Sequence, residues 1–395
     1  MRILVHDYAG HPFQVQLSRK LAERGYNVLH LYSSSVLTPR GKLTKTEDDP
    51  KEFDIKGISL SKTISKYSYI KRYFQEKQYA KLLIKEIKKF NPEIIISSNT
   101  PIVIQEILLN FSKKFNIKFV FWLQDIYGIG IKKVLGKKIP VVGNIIAKYF
   151  INLERKLLDQ SDRIILITED FQNILESWSV STDKCIVIHN WAPLEEIPIF
   201  PKHNEWAKEH DLHDKFCFMY SGTLGLKHNP ELLLKLAEAF KENKKVKVVV
   251  ISEGLGAEWL KEKKKEKSLD NLLIMNFQPF EVLPQALAAA DVLVAILEPD
   301  AGIFSVPSKV LTYHCVGRPL LLAVPQENLA AKIVKNYETG IIIEPTNTSA
   351  FIGAAKKLFE NNKLRNKLGI NARKYAEEYF NIEKITDKFE KIIKE

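Results

Sequence analysis

Short runs of apolar residues alternate with longer amphipathic segments along the whole chain. In the first half the apolar runs predict strands at Ile3–Val5, Val28–Leu31, Ile94–Ser97, Phe119–Leu123, Ile164–Ile167 and Cys185–Ile188. The second half repeats the scheme at 216–220, 246–251, 272–275, 292–296, 320–324 and 340–343. Helical spacing between them, as in Phe13–Arg24, Tyr79–Phe90 and Ile145–Gln160, predicts an α/β fold with parallel sheets covered on both faces.

The length of the chain indicates two domains. A single hydrophobic core seldom serves 395 residues. The stretch 190–214 is rich in proline, histidine and charged residues and has no clear period, which is typical of a linker. We therefore expect the boundary within it.

The charge balance favours anionic partners. There are 59 basic and 47 acidic residues, a net charge of +12, which suits a membrane surface, nucleotide phosphates or nucleic acid. Solvated lysine-rich helix faces explain the same excess equally well, and no motif that reads nucleic acid is present. The three cysteines have no CxxC spacing, the chain opens directly on a strand, and no apolar run is long enough for a membrane span. These features predict a cytoplasmic protein.

The loops after the strands carry the candidate chemistry, because ligands on parallel sheets bind at the carboxyl ends of strands. In the second half, Ser305, Val306, Ser308 and Lys309 form a turn that opens a short helix containing Thr312. Backbone N–H groups, hydroxyls and an ammonium group together suit a phosphate or diphosphate. A second loop, with Gly222, Thr223 and Lys227, follows another strand and brings a second lysine.

Further strand-end loops extend this candidate site. Glu253 and Gly254 form a glycine turn, and backbone groups near Phe277 and Gln278 suit a nucleobase edge. In the first half, Gly10 and His11 follow the first strand, and Gln124, Asp125 and Tyr127 follow another. Asp125 can accept hydrogen bonds from hydroxyls or act as a base, although a helix-capping role is the simpler alternative.

Two stretches, 62–89 and 131–152, mix lysines with aromatic and aliphatic residues. They suit an anionic membrane leaflet or are ordinary amphipathic helices. No Cys/His cluster and no DxD pair occurs, so we expect no metal and no cofactor.

Taken in order, these motifs resemble the GT-B glycosyltransferases, specifically the family-four retaining transferases, over essentially the whole chain. Trp122–Gly128, Tyr220–Asn229, Val306–Pro319 and Ile188–Trp191 are similar to bacterial enzymes that extend lipid-linked O-antigen or capsule units, including L-N-acetylfucosaminyl transferases. The resemblance implies two Rossmann-like domains with a deep interdomain cleft. The acceptor-binding domain would be 1–192 and the donor-binding domain 193–375, with a helix at 376–395 crossing back.

By the same resemblance, Gly10, Lys227 and the loop from Ser305 to Lys309 hold the donor phosphates. Donor-binding positions would then be Gly10, Gly222, Thr223, Lys227, Glu253, Gly254, Phe277, Gln278, Ser305, Val306, Ser308, Lys309 and Thr312. Acceptor-binding positions would be His11, Gln124, Asp125 and Tyr127, with Asp125, Lys227 and Lys309 catalytic.

The chain departs from the family pattern at three places. Gln124 replaces the usual histidine before the aspartate, and Gly222 and Thr223 stand where an arginine usually precedes the lysine. Phe304 and Thr312 occupy the two glutamate positions of the usual Glu-x7-Glu motif. We hypothesise that Lys309 supplies the charge lost with the arginine.

The expected function is metal-independent transfer of a sugar, with retention, from a nucleotide-sugar, which the resemblance makes a UDP-sugar. The acceptor would be a polyprenyl-diphosphate-linked saccharide in surface polysaccharide synthesis, at the inner face of the plasma membrane. The alternatives are a nucleotide-sugar epimerase of the same architecture and a non-catalytic nucleic-acid or envelope binding protein.

Overall fold

The chain forms two compact units. The structure, a computed structural model, describes residues 1–36, 41–61, 68–225, 228–302 and 305–395. Unit 1 contains Met1–Asn190 and Ile382–Glu395, and unit 2 contains Trp191–Asn381. Each unit is a parallel sheet with helices between most consecutive strands.

Among its described residues, unit 1 has seven strands, all paired in parallel in the order β3-β2-β1-β4-β5-β6-β7. The strands are β1 (Arg2–Asp7), β2 (Asn27–Ser33), β3 (Phe53–Ile58), β4 (Ile94–Ser98), β5 (Lys118–Leu123), β6 (Arg163–Leu166) and β7 (Cys185–Val187). The helices are α1 (Pro12–Glu23), α2 (Tyr69–Phe90), α3 (Ile102–Lys114), α4 (Tyr127–Lys138), α5 (Pro140–Gln160) and α6 (Asp170–Ser177).

In the part of unit 2 that the structure describes, six parallel strands pair in the order β10-β9-β8-β11-β12-β13. The strands are β8 (Phe216–Ser221), β9 (Val246–Ile251), β10 (Leu272–Met275), β11 (Val292–Ile296), β12 (Leu320–Ala323) and β13 (Gly340–Ile343). The helices are α7 (Glu205–Glu209), α8 (Glu231–Ala239), α9 (Leu255–Lys267), α10 (Leu283–Ala288), α11 (Lys309–Cys315), α12 (Leu329–Asn336), α13 (Thr348–Glu360) and α14 (Asn362–Tyr379).

The predicted helix over 376–395 is wrong as a single element. Helix α14 ends at Tyr379 within unit 2, and α15 (Ile382–Lys394) begins after Phe380 and Asn381 and packs in unit 1. Phe380 is buried while Asn381 is exposed, so a buried anchor is followed at once by the break. The returning segment therefore starts at 382, and the linker division falls after Asn190 rather than after residue 192.

Two features of unit 1 escaped the hydrophobic pattern. Strand β3 was not predicted, because Asp54 and Lys56 interrupt its apolar positions and it lies at the sheet edge, where one side needs no partner strand. Helix α2 begins ten residues before the predicted start at Tyr79. Its first turns carry exposed aromatic residues, Tyr73 and Phe74, in place of an inward apolar stripe.

Helix α15 belongs to the core of unit 1. Phe389 is fully buried, and its ring centroid lies 4.9 Å from that of Trp122 on β5. The Lys118 ammonium group donates to the carbonyl of Ile392 at 2.6 Å, which satisfies one of the last carbonyls of the helix. The final helix is thus part of the hydrophobic core of unit 1, where it packs against strand β5.

The end of α11 is held tightly against α14 in unit 2. Gly317 has a φ of +64°, which favours glycine, and a Cβ on Gly369 would lie 2.6 Å from the Gly317 carbonyl oxygen. Arg373 donates to the carbonyl of Cys315 at 2.6 Å. This contact fixes α11 and therefore the position of Lys309 at its first turn.

No helix in the part of the chain that the structure describes combines the length and apolar character needed to cross a bilayer.

We predict that Phe389→Ala lowers the free energy of unfolding of unit 1 by about 3–5 kcal/mol, because it leaves a cavity beside Trp122. Urea denaturation followed by Trp fluorescence measures this loss. Lys388→Ala, an exposed neighbour on the same helix, is the matched control and should change it by less than about 0.5 kcal/mol. Equal effects of the two substitutions would contradict the packing of α15.

Candidate functional site

The polar residues that follow β1, β4 and β5 lie at one edge of the sheet in unit 1. Because the strand order reverses between β1 and β4, this edge contains the topological switch point where ligands bind in such sheets. The loop after β1 carries Gly10 and His11, the loop after β4 carries Asn99, and the loop after β5 carries Asp125.

Asp7 organises the loop after β1. Its fully buried carboxylate accepts from the backbone N–H of Ala9 at 3.1 Å and from that of His11, and lies 3.3 Å from His11 Nδ1. Burial opposes ionisation of both side chains, but the pairing outweighs it: the pKa of Asp7 is lowered, and that of His11 is raised by Asp7 and, more weakly, by Asp125. The cationic form of His11 is therefore favoured by the two carboxylates, Asp7 more strongly than Asp125.

Gly10 is required by the backbone. Its φ is +78°, and a Cβ there would lie 2.9 Å from Cδ1 of Leu43. The glycine thus allows the chain to turn tightly from β1 into α1 against residue 43. Contact of Gly10 with a donor phosphate stays a prediction.

Asn99 joins the site although the sequence analysis did not select it. Its φ is +51°, and its amide nitrogen lies 3.2 Å from Nδ1 of His11. The hydroxyl of Tyr127 donates to the Asn99 carbonyl at 3.4 Å. The available signal was its position directly after an apolar strand, which it shares with Asp125.

Gln124 has both ends of its amide engaged. It donates to the Asn190 side chain at 3.1 Å and accepts from it at 2.5 Å. These two hydrogen bonds connect the end of β5 to Asn190, the last residue of the first segment of unit 1. Its predicted contact with an acceptor would have to share these groups with Asn190.

Glu154, on α5, positions the loop that contains Asp125. Its fully buried carboxylate accepts from the backbone N–H of Tyr127 at 3.0 Å and from that of Gly128 at 2.8 Å, so it caps the start of α4. Burial raises its pKa to about 8, against the two N–H groups, and Asp125 adds to the rise. No local motif distinguishes this glutamate from other helical acids.

A second group that the sequence analysis missed lies beside Tyr127. Arg72 on α2 pairs with Glu76 at 2.7 Å, and Glu76 is buried. Burial raises the pKa of Tyr127, and Asp125 raises it further while Arg72 opposes the rise. The same ion pair acts on the buried phenol of Tyr8. Tyr127, a predicted acceptor-binding residue, is thus influenced by charged groups of another helix, α2.

In unit 2, the loops after β8, β9, β10 and β11 share the edge at the switch point between β8 and β11. They carry the predicted donor-binding positions. Lys227 lies outside the described residues, as does Phe304, so the predicted convergence of Lys227 with Lys309 stays a prediction.

Lys309 lies directly over Gly222. A Cβ on Gly222 would lie 2.6 Å from Cε of Lys309, and the glycine has a φ of +134°. The ammonium group donates to the hydroxyl of Tyr220 at 2.6 Å and lies 4.3 Å from the centre of its ring. The structure therefore brings the turn before α11 and the loop after β8 together.

The strand ends beneath this contact are braced by tyrosines. The Tyr220 hydroxyl donates to the carbonyl of Thr223 at 2.9 Å. The Tyr313 hydroxyl accepts from the N–H of Ser221 at 2.8 Å and lies within hydrogen-bond distance of the carbonyls of Ser221 and Val294. Thr312, half-buried, is the neighbour of this bracing residue on α11.

The turn after β9 packs against the loop after β8. Ser252 Oγ accepts from the N–H of Leu224 at 3.0 Å, and the Leu224 carbonyl accepts from Gly256 at 3.2 Å. Gly254 has a φ of +111°, and Glu253 beside it is half-buried. Glu253 and Gly254 thus lie next to the loop containing Gly222 and Thr223.

The remaining predicted donor positions lie in the loop after β10 and in the turn before α11. Gln278 accepts from the Trp206 indole N–H at 2.9 Å and donates to the Asn276 carbonyl at 3.1 Å, so both ends of its side-chain amide have partners. Phe277 lies between Asn276 and Gln278 in the loop after β10. The carbonyl of Ser305, which is buried, accepts from the Asn328 amide at 2.9 Å. Val306 and Ser308 follow, and the helix begins at Lys309 without a side-chain cap from Ser308.

Among the described residues, no three His, Cys, Asp or Glu side chains gather closely enough to hold a metal ion. The expectation that no metal takes part stays a prediction.

We predict that the free energy of unfolding of Glu154→Gln, compared with that of the parent protein, increases as the pH rises. The folded pKa lies near 8, above the ordinary value of 4.5, so the folded state holds a proton that the unfolded state has lost between these values. The contribution of protonated Glu154 to the free energy of unfolding is then fully present below about pH 4.5. It falls by up to about 1.4 kcal/mol per pH unit until about pH 8. Urea unfolding of both proteins at pH 5, 6, 7 and 8 measures the difference.

Glu176→Gln, at an exposed helical position of the same unit, is the control for replacing a glutamate by glutamine. A Glu154→Gln difference that is flat from pH 5 to 8 would show that the carboxyl group is ionised throughout.

Both halves of the sequence match glycosyltransferase family models. Residues 13–196 match Glycosyltransferase Family 4, and residues 202–375 match Glycosyl transferases group 1. YtcC of Bacillus subtilis is 22% identical over 245 residues, 57% of this chain and 58% of that protein. The uncharacterized glycosyltransferase MJ1069 of Methanocaldococcus jannaschii is 22% identical over 238 residues, 60% of this chain and 59% of that one. The chain thus spans less than two thirds of the length of these curated relatives.

Solved structures share the fold over nearly the full chain. Sucrose-phosphate synthase of Thermosynechococcus elongatus has a TM-score of 0.73 at 16% identity, covering 100% of this chain and 98% of that one. HepE of Anabaena, solved with UDP and glucose, has a TM-score of 0.73 at 14% identity, covering 100% and 99%. WaaG, a glycosyltransferase involved in lipopolysaccharide biosynthesis, has a TM-score of 0.68 at 15% identity, covering 98% of each chain. The two parallel-sheet units are those of the GT-B fold.

Proposed function

Because both halves of this chain are glycosyltransferase domains of the GT-B fold, we propose that the protein moves a sugar from a nucleotide-sugar to a saccharide acceptor. The donor is a UDP-sugar, in line with HepE, which was solved with UDP-glucose. The acceptor is a polyprenyl-diphosphate-linked saccharide of a surface polysaccharide, and the sugar is a hexosyl or N-acetylhexosaminyl unit. The proposal includes the resemblance of four segments of the sequence to L-N-acetylfucosaminyl transferases.

The contact between Lys309 and Gly222 carries the proposal. An ammonium group held over a side-chain-free backbone turn, at the switch point of the donor-side sheet, suits a diphosphate. Gly222 leaves room for Lys309, so one position supplies the space and the other the charge. This supports the hypothesis that Lys309 replaces the arginine usual in the family.

The chemistry follows from charge on the leaving group. The bond between the anomeric carbon and the diphosphate oxygen breaks, the acceptor oxygen bonds to that carbon on the same face, and its proton passes to the leaving phosphate. Negative charge therefore grows on the diphosphate, where a fixed ammonium group lowers the barrier. Lys309 supplies that charge without a metal, and Asp125, with His11 and Asn99 nearby, orients the acceptor hydroxyl.

The direct test is a screen of UDP-, GDP- and dTDP-sugars by thermal shift, followed by product analysis with a polyprenyl-diphosphate-linked saccharide. We expect a UDP-sugar to raise the melting temperature and a product with retained anomeric configuration. An epimerised donor formed without acceptor would favour the epimerase alternative. Loss of transfer in a chelator with recovery in manganese would contradict the metal-independent reaction.

Asp125→Asn should lower kcat/KM for the acceptor by about 100-fold or more, because it removes the carboxylate that orients the reacting hydroxyl. The thermal shift produced by the donor should be unchanged. Glu176→Gln, the exposed acid in the same unit, should leave both quantities as they are. A loss of donor binding in Asp125→Asn would place this residue in the wrong subsite.

Lys309→Ala should weaken UDP binding by about 10- to 100-fold, the value of one hydrogen bond to a charged group, as measured by calorimetry. Lys335→Ala, an exposed lysine of unit 2, is the control. Unchanged donor binding and turnover in Lys309→Ala would refute the role of this ammonium group.

Gly222→Ala should weaken UDP binding by displacing the Lys309 side chain, and should do so far less in a Lys309→Ala background. The loss of melting temperature caused by backbone strain at φ +134° should be similar in both backgrounds, which separates strain from displacement. Gly353→Ala, where a Cβ would meet open space, is the matched control. Equal losses of UDP affinity in the two backgrounds would show that Gly222 acts independently of Lys309.

A further inference from the structure

The corner between α4 and α5 exposes large apolar side chains. Val141 is 76% exposed and Ile145 67% exposed, and their neighbours follow at helical spacing along the start of α5. We define the α4–α5 corner by six exposed residues: Ile139, Val141, Val142, Ile145, Ile146 and Tyr149. Contiguous exposed apolar surface of this kind marks an interaction site.

The inner face of the same helix already packs in unit 1. Ala147 is buried on the face opposite the corner, and Leu157 and Leu158 are buried further along. A Cβ on Gly143 would collide with the carbonyl of Leu135, so α4 and α5 approach closely and hold the corner rigid. The outer apolar face is therefore surplus to the core of unit 1.

The segment that forms the corner carries charge of one sign. Residues 126–153 contain five lysines and no Asp or Glu. Among them Lys132 and Lys148 are exposed. Apolar side chains flanked by lysines, without acids, complement a surface that is apolar within and anionic at its boundary.

Helix α2 carries exposed aromatic residues as well. Phe74 is 65% exposed, and the Lys77 ammonium group lies 4.5 Å from the centre of the exposed Tyr73 ring. Tyr73 chiefly, then Glu106 on α3 and Tyr149 on α5, raise the pKa of Lys77. Helix α3 packs against both α2 and α5, so the two basic and aromatic stretches of the sequence flank one helix of unit 1.

We propose that the α4–α5 corner, with Tyr73 and Phe74, docks unit 1 onto the surface of a bilayer that contains anionic phospholipid. The apolar side chains enter the boundary between headgroups and acyl chains, and the lysines lie among the headgroups. Association of two copies through this face would instead bring Lys132 and Lys148 of each copy towards those of the other, which charge repulsion opposes. The inference rests on the proposed function in one respect: docking brings the enzyme to a lipid-linked acceptor.

The test is flotation of the full chain with vesicles of phosphatidylcholine alone and with 30% phosphatidylglycerol, a probe composition chosen on the order of natural anionic content. We expect at least a tenfold preference for the anionic vesicles, reduced in high salt. The pair Val141→Asp and Ile145→Asp should lower binding at least tenfold. Lys132→Glu with Lys148→Glu should lower it by at least about fivefold for each lysine.

The matched controls carry the same changes elsewhere. Ile199→Asp with Ile370→Asp replaces two exposed aliphatic residues of unit 2, and Lys265→Glu with Lys335→Glu replaces two exposed lysines. These variants should bind vesicles like the parent protein. Circular dichroism and melting temperature establish that every variant is folded.

Two results would overturn the proposal. One is vesicle binding that the corner variants and the controls reduce equally. The other is absence of vesicle binding together with self-association that Val141→Asp and Ile145→Asp disperse, which would assign the face to a second copy.

Failure of the proposed function gives a different result. Corner variants should keep the thermal shift with the UDP-sugar and lose transfer only to acceptor embedded in vesicles. Vesicle binding that depends on the corner, in a protein that no nucleotide-sugar stabilises, would sustain the docking surface while refuting the glycosyltransferase proposal.

Discussion

Parallel pairing of every strand is the constraint on which the candidate chemistry depends. In a parallel sheet the carboxyl ends of all strands lie at the same edge, so residues far apart in sequence meet there. His11, Asn99 and Asp125 meet in unit 1 for this reason, and Gly222 meets Lys309 in unit 2. The helices cover the faces of each sheet and leave this edge to the loops.

The strand-end loops are held by groups from elsewhere in their own unit. Glu154 reaches from α5 to cap α4 beside Asp125, and Tyr313 reaches from α11 to brace the end of β8. Arg373 on α14 holds the other end of α11. The candidate residues at the sheet edges are therefore positioned by hydrogen bonds that other helices make.

Unit 1 carries two distinct kinds of surface. Its sheet edge is polar and rich in titratable groups, whereas the α4–α5 corner is apolar and basic. Helix α5 contributes to both, with Glu154 turned to the buried side and Ile145 to solvent. One helix thus links the loop with Asp125 to the face proposed to meet lipid, so a disturbance of its packing would affect both.

The sequence by itself determined the alternation of strands and helices, the two-unit organisation and the loops that carry candidate chemistry. The reason is that buried positions recur with a local period in the sequence that differs between strands and helices. It also identified Lys309 and Asp125 as candidates from their places after apolar strands. It missed β3, whose charged residues belong to a sheet edge, and it missed Glu154 and Arg72, which lie on helices without any local motif. Only the tertiary structure decided that Lys309 lies over Gly222 and that the helices of the two basic stretches, α2 and α5, both pack against α3, because both depend on distances between elements that no local pattern encodes.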